Sequence, residues 1–468
     1  MKSYCPLLIC VLLIGCAGTS PVKTELRDYQ IPENWQSDAN QLAPQDNWLS
    51  QFNNPILMAL TEEALEKNQS LKQQAYNVEI AKQQLVQTGA RLWPDLDLTV
   101  STGRSKTTNP NNISNRNTLN LGASYEVDLW GKLSDNQQVS QLSLLVAEAQ
   151  YQETKQDLVG QIVASWFNLV SANQLTILFQ HRVDNAKQSL DIIESGYQQG
   201  VNKALDVYLS RNELNSEKSN LAQQKAKLLE TARILEKLLG RYPSGDVVNQ
   251  LSGQQLPLLT EQIPLGLPSD VVRRKPELKA AWYQVLSQNA TLAYTHKQRF
   301  PSFRLTAAVS TASDELSDLL SSSSLAWSLL GGLTAPIFDA GLLKSNEEIA
   351  RLRLKQQEQT YLNTLYNAFS EVENAVTNES SLYSQFQATL DAQKNALAAE
   401  TLAFEQYQRG LVTYTTVLDA QDRAFSAQSS LIQIKNQLLI NRANLHIALG
   451  GDFSSNNTNN QQEDSINE

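Results

Sequence analysis

Thiols and imidazoles are the side chains in this sequence best suited to act as metal ligands, nucleophiles or general bases. The cysteines all fall within the first sixteen residues, whereas the histidines are widely separated along the chain: Cys5, Cys10, Cys16, His181, His296 and His446. No phosphate-cradling glycine loop or nucleophile motif accompanies them. The spacing therefore predicts no metal site, no cofactor and no enzymatic activity.

Cys16 is the one residue of this set with a recognisable context, because it ends the tetrapeptide LIGC. A single lysine and a short apolar run from Leu7 to Ile14 precede it, which is typical of a signal peptide and too short to span a bilayer. LIGC resembles the bacterial lipobox, whose cysteine is acylated and becomes the mature N-terminus. We expect residues 1–15 to be removed and Cys16 to be lipidated. An ordinary signal peptide with an incidental cysteine is the alternative. Ala17 favours the outer membrane, since the resembling class uses Asp there for inner-membrane retention.

Charge excludes one class of partner. The net charge is −10, and charged residues make up 18% of the chain, below the roughly 25% of typical soluble domains. Nucleic-acid binding needs clustered lysine and arginine to meet phosphates, and the sequence shows no such cluster. We therefore expect no nucleic-acid partner.

Proline spacing leaves room for two very long helices. Proline is absent between Pro110 and Pro243 and again after Pro336, and it costs about 3 kcal/mol inside a helix. The first helix is predicted to run from about Leu133 to Gln199. The second stretch carries apolar residues seven positions apart: Phe369, Val376, Tyr383, Leu390, Leu397 and Phe404. This spacing indicates coiled-coil packing.

Before each proline-free stretch the apolar period changes to two, which predicts β-hairpins. Four segments alternate in this way: residues 95–101, 119–127, 302–310 and 325–338. Each is close to the length that a tilted strand needs to cross a bilayer. The long polar stretch 103–117 resembles the external loops of membrane barrels, so we expect a loop there.

The two halves of the chain repeat each other. At an offset of 210 positions the segment from Tyr197 to Gly240 matches many residues from Tyr407 to Gly450. A glycine interrupts the helical pattern at the same place in both copies, at Gly200 and at Gly410, and the first copy also has Gly160 and Gly196. Glycine is the usual residue where a helix must end in a left-handed turn. The repeat predicts a duplicated unit of helix, hairpin, long helix, tip and shorter helix.

Four strands cannot close a barrel, and open strand edges are not tolerated in lipid. Several chains must therefore share one barrel. A dimer would supply eight strands, whose interior is only wide enough for side chains, whereas a trimer would supply twelve and leave a channel. The helices could then pack side by side into a second barrel.

Six motifs in this order make the mature chain similar to a TolC-like outer-membrane factor of the lipidated NodT-type branch. Besides the lipobox they are YEVDLWGKL, GLPSDVVRRKPELKAA, RFPSF, APIFDAG and YQRGLVTYTTVLDAQ. The resemblance implies an α+β membrane protein: a trimeric twelve-stranded outer-membrane β-barrel, with four strands per chain, continued by a long α-helical coiled-coil periplasmic barrel.

The resemblance also implies where the protein acts. Its tips at Gly200, Val201, Gly410 and Leu411 would meet a periplasmic adaptor, which joins the trimer to an inner-membrane resistance-nodulation-division pump. A ring of Thr415 and Asp419 would form the periplasmic aperture. The family often has Leu at the first of these two positions, so Thr415 predicts a leakier resting state. Asp206 is expected to assist the first tip or merely to begin a helix.

The implied function is an exit duct that exports small molecules across the outer membrane of a tripartite efflux system. The expected divisions are a signal peptide (1–15), an anchor and equatorial segment (16–60), the first repeat (61–240), an equatorial linker (241–276), the second repeat (277–450) and a disordered tail (451–468). A coiled-coil surface protein, a type I protein secretion channel and an unassisted diffusion porin remain alternatives. The exported substrate is not specified by the sequence.

Overall fold

The chain is described here by a computed structural model. It covers residues 31–36, 47–108, 111–258, 263–319 and 325–453. The predicted signal peptide, Cys16 and residues 454–468 of the expected tail lie outside the described residues. Two compact units divide the chain. We call them the strand unit, Tyr76–Gln150 with Glu277–Thr364, and the tip unit, described over Ile31–Ala75, Tyr151–Pro276 and residues 365–453.

The strand unit contains one antiparallel four-stranded sheet in the order β1-β2-β3-β4. The strands are β1 (Asp95–Thr108), β2 (Asn111–Val127), β3 (Ser302–Ser313) and β4 (Leu325–Thr334). Pairing of β2 with β3, from Val127↔Phe303 to Asn117↔Ser313, joins the two predicted hairpins into one sheet. Within the described chain the outer edges of β1 and β4 have no partner strand.

Residues 103–108 and 111–117 belong to strands β1 and β2, so the expectation of a long polar loop over this stretch is wrong. Strands β1 and β2 stay paired out to Thr108↔Asn111. Their polar side chains bond to one another across the pair: Ser101 with Thr118 (2.5 Å), Thr102 with Asn117 (2.7 Å) and Ser105 with Ser114 (2.7 Å). Hydroxyl and amide groups thus act as cross-strand contacts, and their polarity did not signal a loop.

Strand β4 is also shorter than expected. It ends at Thr334, although the alternating pattern continues to residue 338. Pro336 lies two residues beyond this end and lacks the backbone N–H that a strand ladder requires. Residues 335–341 instead lead irregularly into the next helix.

Eight α-helices occur in the described residues. They are α1 (Pro55–Lys67), α2 (Gln69–Ala90), α3 (Lys132–Gln198), α4 (Ala204–Leu238), α5 (Pro268–Arg274), α6 (Pro276–Lys297), α7 (Leu342–Gln408) and α8 (Tyr414–Ala448). Helices α3 and α7 have 67 residues each, about 100 Å of helix. The two predicted long helices are confirmed, and the order of helix, hairpin, long helix and shorter helix occurs twice. The exact domain divisions remain predictions.

An aspartate begins each long helix. The Asp128 carboxylate accepts a hydrogen bond from the Leu133 backbone N–H at 2.8 Å, and Asp339 accepts one from the Leu343 N–H at 2.8 Å. A carboxylate at this place satisfies amide donors that have no partner inside the helix. The motif YEVDLW therefore ends a strand and starts a helix, and IFDAG, in the irregular segment after β4, starts the corresponding helix of the second half.

The main core of the tip unit surrounds the middle of α3. Trp166 and Phe167 are fully buried there and pack with Trp48 and Phe52 of the N-terminal segment. By length and composition α3 is the one helix of the described chain that could cross a membrane, and nearly half of its apolar window is buried. Burial in this core explains why α3 contains an apolar window of that length.

Candidate functional site

The first tip is the turn between α3 and α4, where Gly200 has a φ of +78°. The Gly200 N–H donates to the Tyr197 carbonyl at 3.0 Å, and the Val201 N–H donates to the Gly196 carbonyl at 2.8 Å. This pair of bonds is the Schellman ending of a helix, which needs a residue with positive φ. Glycine is thus required by the backbone conformation.

The second tip, between α7 and α8, has the same backbone. Gly410 has a φ of +73°, its N–H donates to the Tyr407 carbonyl at 2.8 Å, and the Leu411 N–H donates to the Gln406 carbonyl at 2.9 Å. A Cβ atom added at Gly200 or Gly410 would meet nothing within 4 Å. Both glycines therefore present open backbone on the outside of the turn.

The apolar residue after each glycine is exposed. In a Schellman ending this residue commonly packs back onto the helix, but Val201 is 77% exposed and Leu411 is 69% exposed. Leu205 and Tyr208, in the first turns of α4, are also exposed. Sequence reasoning missed these last two residues. The tips are thus apolar surfaces on a rigid turn.

A small core holds the two tips together. Ile193 and Val207 of the first repeat pack with Tyr414 and Val417 of the second, and all four are buried. The contact joins the two repeats directly.

Asp206 and Tyr407 add a polar link between the same tips. The Tyr407 hydroxyl donates to Asp206 at 3.3 Å. Burial, with the nearby Asp206 carboxylate, raises the pKa of Tyr407 to about 12, so the hydroxyl keeps its proton at neutral pH. Asp206 also lies in the first turn of α4, the position expected of a residue that begins a helix. Its assistance to the first tip stays a prediction.

Thr415 and Asp419 lie one turn apart on the exposed side of α8. The Thr415 hydroxyl is 2.6 Å from that of Thr413, the residue before the helix. Asp419 accepts a hydrogen bond from Arg423 at 3.0 Å, and both side chains are largely exposed. Arg423 was not anticipated, although a basic residue four positions after an acid is a common helical pair. The surface therefore carries both charges rather than acid alone.

Arg182 lies in α3, 18 residues before Gly200, and contacts carboxylates from both repeats. Sequence reasoning missed this feature as well. Arg182 bonds to Glu213 at 3.0 Å, to Glu217 at 2.8 Å and to Asp422 of α8. Its guanidinium also lies 4.4 Å from the Phe425 ring centre. Contacts between residues so distant in sequence leave no local pattern. Burial raises the pKa of Glu217.

The three histidines lie apart. His181 lines a cavity of about 240 Å³ beside Arg182, and His296 lies 3.3 Å from Glu347 in the strand unit. His446 stacks on Trp48 at 5.3 Å, and burial followed by the nearby Arg442 charge lowers its pKa to about 3. Within the described ranges no group of His, Cys, Asp and Glu is arranged to hold a metal ion.

A sheet that is open at both edges, two very long helices and two exposed tips define a membrane channel that several copies complete together. The chain belongs to the outer membrane efflux protein family, whose sequence profile matches residues 60–241 and 267–451. This confirms the resemblance to TolC-like factors. The protein is an outer-membrane efflux channel, and its fold class is the trimeric twelve-stranded barrel with long coiled-coil helices.

Individual relatives agree. The cation efflux system protein CusC of Escherichia coli K12 is 28% identical over 458 residues, covering 95% of this chain and 98% of that protein. The solvent efflux pump outer membrane protein SrpC of Pseudomonas putida is 28% identical over 412 residues, covering 86% and 87% of the two chains. The crystal structure of CusC superposes with a TM-score of 0.80 at 26% identity, over 91% of this chain and 99% of that one. These relatives are efflux and channel proteins.

Proposed function

We propose that this chain is the exit duct of a tripartite efflux system and that a periplasmic adaptor docks on its two tips. The observation that carries the proposal is the matched pair of Schellman turns, each with open glycine backbone beside an exposed apolar residue, Val201 or Leu411. We assign the supply of energy to an inner-membrane pump of the resistance-nodulation-division type.

The repeated backbone suits a repeated partner. Each chain presents two tips with the same turn geometry, so a trimer presents six. An adaptor surface that recognises one tip can meet the other with little change, because backbone shape and an apolar side chain are common to both. Because glycine has no side chain, an adaptor can approach the backbone of the turn closely. The neighbouring Val201 or Leu411 then supplies the apolar contact.

The aperture is formed in this proposal by Thr415, Asp419 and Arg423, repeated three times around the axis. Three hydroxyls in place of three leucines leave polar groups that water can wet, so the resting channel leaks more than one closed by an apolar ring. Arg423 beside Asp419 weakens the exclusion of anions that three carboxylates alone would give. Single-channel conductance of the resting trimer in a planar bilayer measures this leak.

Cys16, outside the described residues, carries the lipid anchor in this proposal. The related proteins are named for different cargo, cations for CusC and solvents for SrpC. Membership of the family therefore leaves the cargo open, and we assign its selection to the pump. No cofactor is proposed.

The test places a large side chain at each tip. Gly200→Trp and Gly410→Trp should lower resistance to exported compounds at least tenfold in the native host, because indole blocks the approach to the turn. Gly253→Trp is the matched control, since Gly253 also has positive φ (+74°) and open space around its Cβ position but lies outside the tips. All three variants bear the same backbone strain.

Trimer yield and bilayer conductance should be equal in the three variants, which separates docking from folding. A photo-crosslinking residue at position 411 should in addition capture a periplasmic adaptor in cells. Normal efflux in both tip variants would remove the docking assignment. If the unmodified protein shows no conductance in a bilayer, the alternative of a coiled-coil surface protein is favoured instead. If efflux persists in cells that lack the adaptor, the alternative of a diffusion porin is favoured.

A further inference from the structure

One face of the sheet is apolar and the other is polar. Leu98, Leu121, Val309 and Trp327 pair directly across the four strands, and all of them are exposed. The adjacent row begins with Asp97 and points the opposite way. Because lipid-facing and lumen-facing residues alternate along the strands of outer-membrane barrels, the apolar row faces lipid. We call its side of the sheet the lipid face and the opposite side the lumen face.

The lipid face extends beyond its apolar band at the far end of the β1–β2 hairpin. On β1 the band ends at Val100, which pairs with Leu119 of β2. Farther along β1 the same face carries Thr102, Arg104 and Lys106, and all three are exposed. Helices α2 and α3 adjoin the other end of the hairpin. Arg104 and Lys106 therefore lie on the side of the membrane opposite the periplasmic helices.

The height of these two cations corresponds to the lipid headgroups. Arg104 lies four residues beyond Val100 and Lys106 lies six, which is about 14 and 20 Å farther along the strand. A strand tilted by about 40° rises about 10 and 16 Å over those lengths. Headgroups occupy about 5–8 Å beyond the hydrocarbon on each side of a bilayer. Since arginine and lysine have long flexible stems, their charged ends can bend back into that layer.

The charge at this end of the sheet is unevenly distributed. Residues 101–118 contain no aspartate or glutamate, although the whole chain has a net charge of −10. The corresponding end of the second hairpin, residues 311–327, contains no lysine or arginine and carries Asp314, Glu315 and Asp318. Arg104 and Lys106 form no ion pair with any carboxylate in the part of the chain that the structure describes. Both charges are thus available to an anionic partner.

We infer that Arg104 and Lys106 bind the phosphate groups of phosphorylated lipid in the outer leaflet of the membrane, and that each trimer holds three such sites. The apolar band directly below contacts the acyl chains of the same lipid, so the site continues the lipid-facing surface of the barrel. Guanidinium donates to phosphate oxygens as a bidentate pair, and ammonium adds a second positive charge. The inference rests on the barrel and is independent of cargo, of the tips and of the aperture.

Lipid retention by the purified trimer tests this site. Full-length protein in mild detergent is mixed with lipid A, a diphosphorylated glycolipid, and the lipid that remains bound after size exclusion is counted by native mass spectrometry. The unmodified trimer should retain three molecules. Arg104→Gln combined with Lys106→Gln should retain at least fivefold less lipid, and its trimer yield should be unchanged because both side chains are exposed. Equal retention by this variant and the unmodified protein would overturn the inference.

The matched control removes the same charge from the lumen face. Arg116 pairs with Gly103 of β1, one residue before Arg104, and therefore points the opposite way. Arg116→Gln should retain lipid A within twofold of the unmodified protein, whereas Arg104→Gln alone should retain at least threefold less. Arg104→Lys keeps the charge and should retain more lipid than Arg104→Gln. If Arg116→Gln and Arg104→Gln lost lipid equally, net charge rather than a site on the lipid face would explain the binding.

Two further probes identify the source of the phosphate. Lipid A from which both phosphates have been removed keeps its acyl chains and should be retained at least fivefold less by the unmodified trimer. Millimolar inorganic phosphate should not displace intact lipid A, because the free ion gains nothing from the apolar band. Equal retention of the two lipids, or displacement by inorganic phosphate, would overturn a lipid site. If the double variant yields no trimer, the comparison of the two lipids on the unmodified protein decides.

Discussion

The two tips share a backbone turn but differ in the side chains around it. At the first tip, the Asn202 amide donates to the Ile193 carbonyl at 3.1 Å and packs so closely on Gly196 that a Cβ there would lie 2.3 Å from its nitrogen. The equivalent of Gly196 in the second tip is Gln406, and threonine hydroxyls cluster there instead. Duplication thus kept the turn, which a docking partner would contact, and left the side chains around it free to diverge.

The charged residues diverge most. Arg182 corresponds to Ala392 in the second repeat, and Glu213 corresponds to Arg423. Arg182 of the first repeat therefore contacts Asp422 of the second, whereas the second repeat carries an exposed Asp419–Arg423 pair. The charged contact between the repeats thus depends on a residue of the first repeat, whereas the residues proposed for the aperture come from the second. Three substitutions probe this division.

The largest effect is expected from Arg182→Met. Glu217, whose side chain is only 4% exposed, would keep a buried charge without its partner, and losing one member of a buried pair costs about 3–5 kcal/mol. Denaturant unfolding of the purified protein in detergent measures the loss. Arg211→Met is the matched control, since its pair with Glu194 is largely exposed and should cost less than about 1 kcal/mol. Equal losses in both variants would show that Arg182 does not join the repeats.

An intermediate effect is expected from Tyr407→Phe. The change removes the hydrogen bond to Asp206, a bond to a charged group, and should lower the free energy of unfolding by about 1–2 kcal/mol. Tyr197→Phe is the control, because Tyr197 is its equivalent in the first repeat and is 50% exposed. It should change stability by less than about 0.5 kcal/mol. If Tyr197→Phe lowered the free energy of unfolding as much as Tyr407→Phe, the two tips would not differ in this contact.

The smallest effect on stability, within about 0.5 kcal/mol, is expected from Thr415→Leu. Thr415 is exposed and corresponds to Leu205 of the first repeat, so the change installs the residue that the other tip already has. Resting conductance of the trimer should fall severalfold in a planar bilayer, because three leucines exclude water where three hydroxyls admit it. Thr416→Val, one position along the helix, should leave the conductance unchanged. A resting conductance in Thr415→Leu equal to that of the unmodified protein would place the aperture elsewhere.

Local patterns predicted most of the fold. The bounds predicted for α3 are within a residue of those observed. The absence of proline also indicated that a long helix occurs in the second half, and the matched glycines located both turns, because helix length and left-handed turns depend on nearby residues. The 103–117 stretch was misassigned since serine, threonine and asparagine occur both in loops and in paired polar strands.

The site was predicted only where its signal was local. Gly200 and Gly410 were visible because they break a helix, whereas Arg182 and Asp422 are 240 positions apart and meet only after the repeats pack. Tyr407 likewise gave no sign of reaching Asp206 across the repeats. Sequence spacing can predict a turn but not a contact that depends on tertiary packing.

The open outer edges of β1 and β4 also constrain how the channel is made. A single copy entering the bilayer would carry two rows of backbone amides and carbonyls into hydrocarbon, where water cannot bond to them. Insertion and association must therefore be one event, and its rate should rise steeply with the number of chains delivered to the membrane. Newly exported chains must therefore remain in water at the membrane surface until enough copies are present to close a barrel.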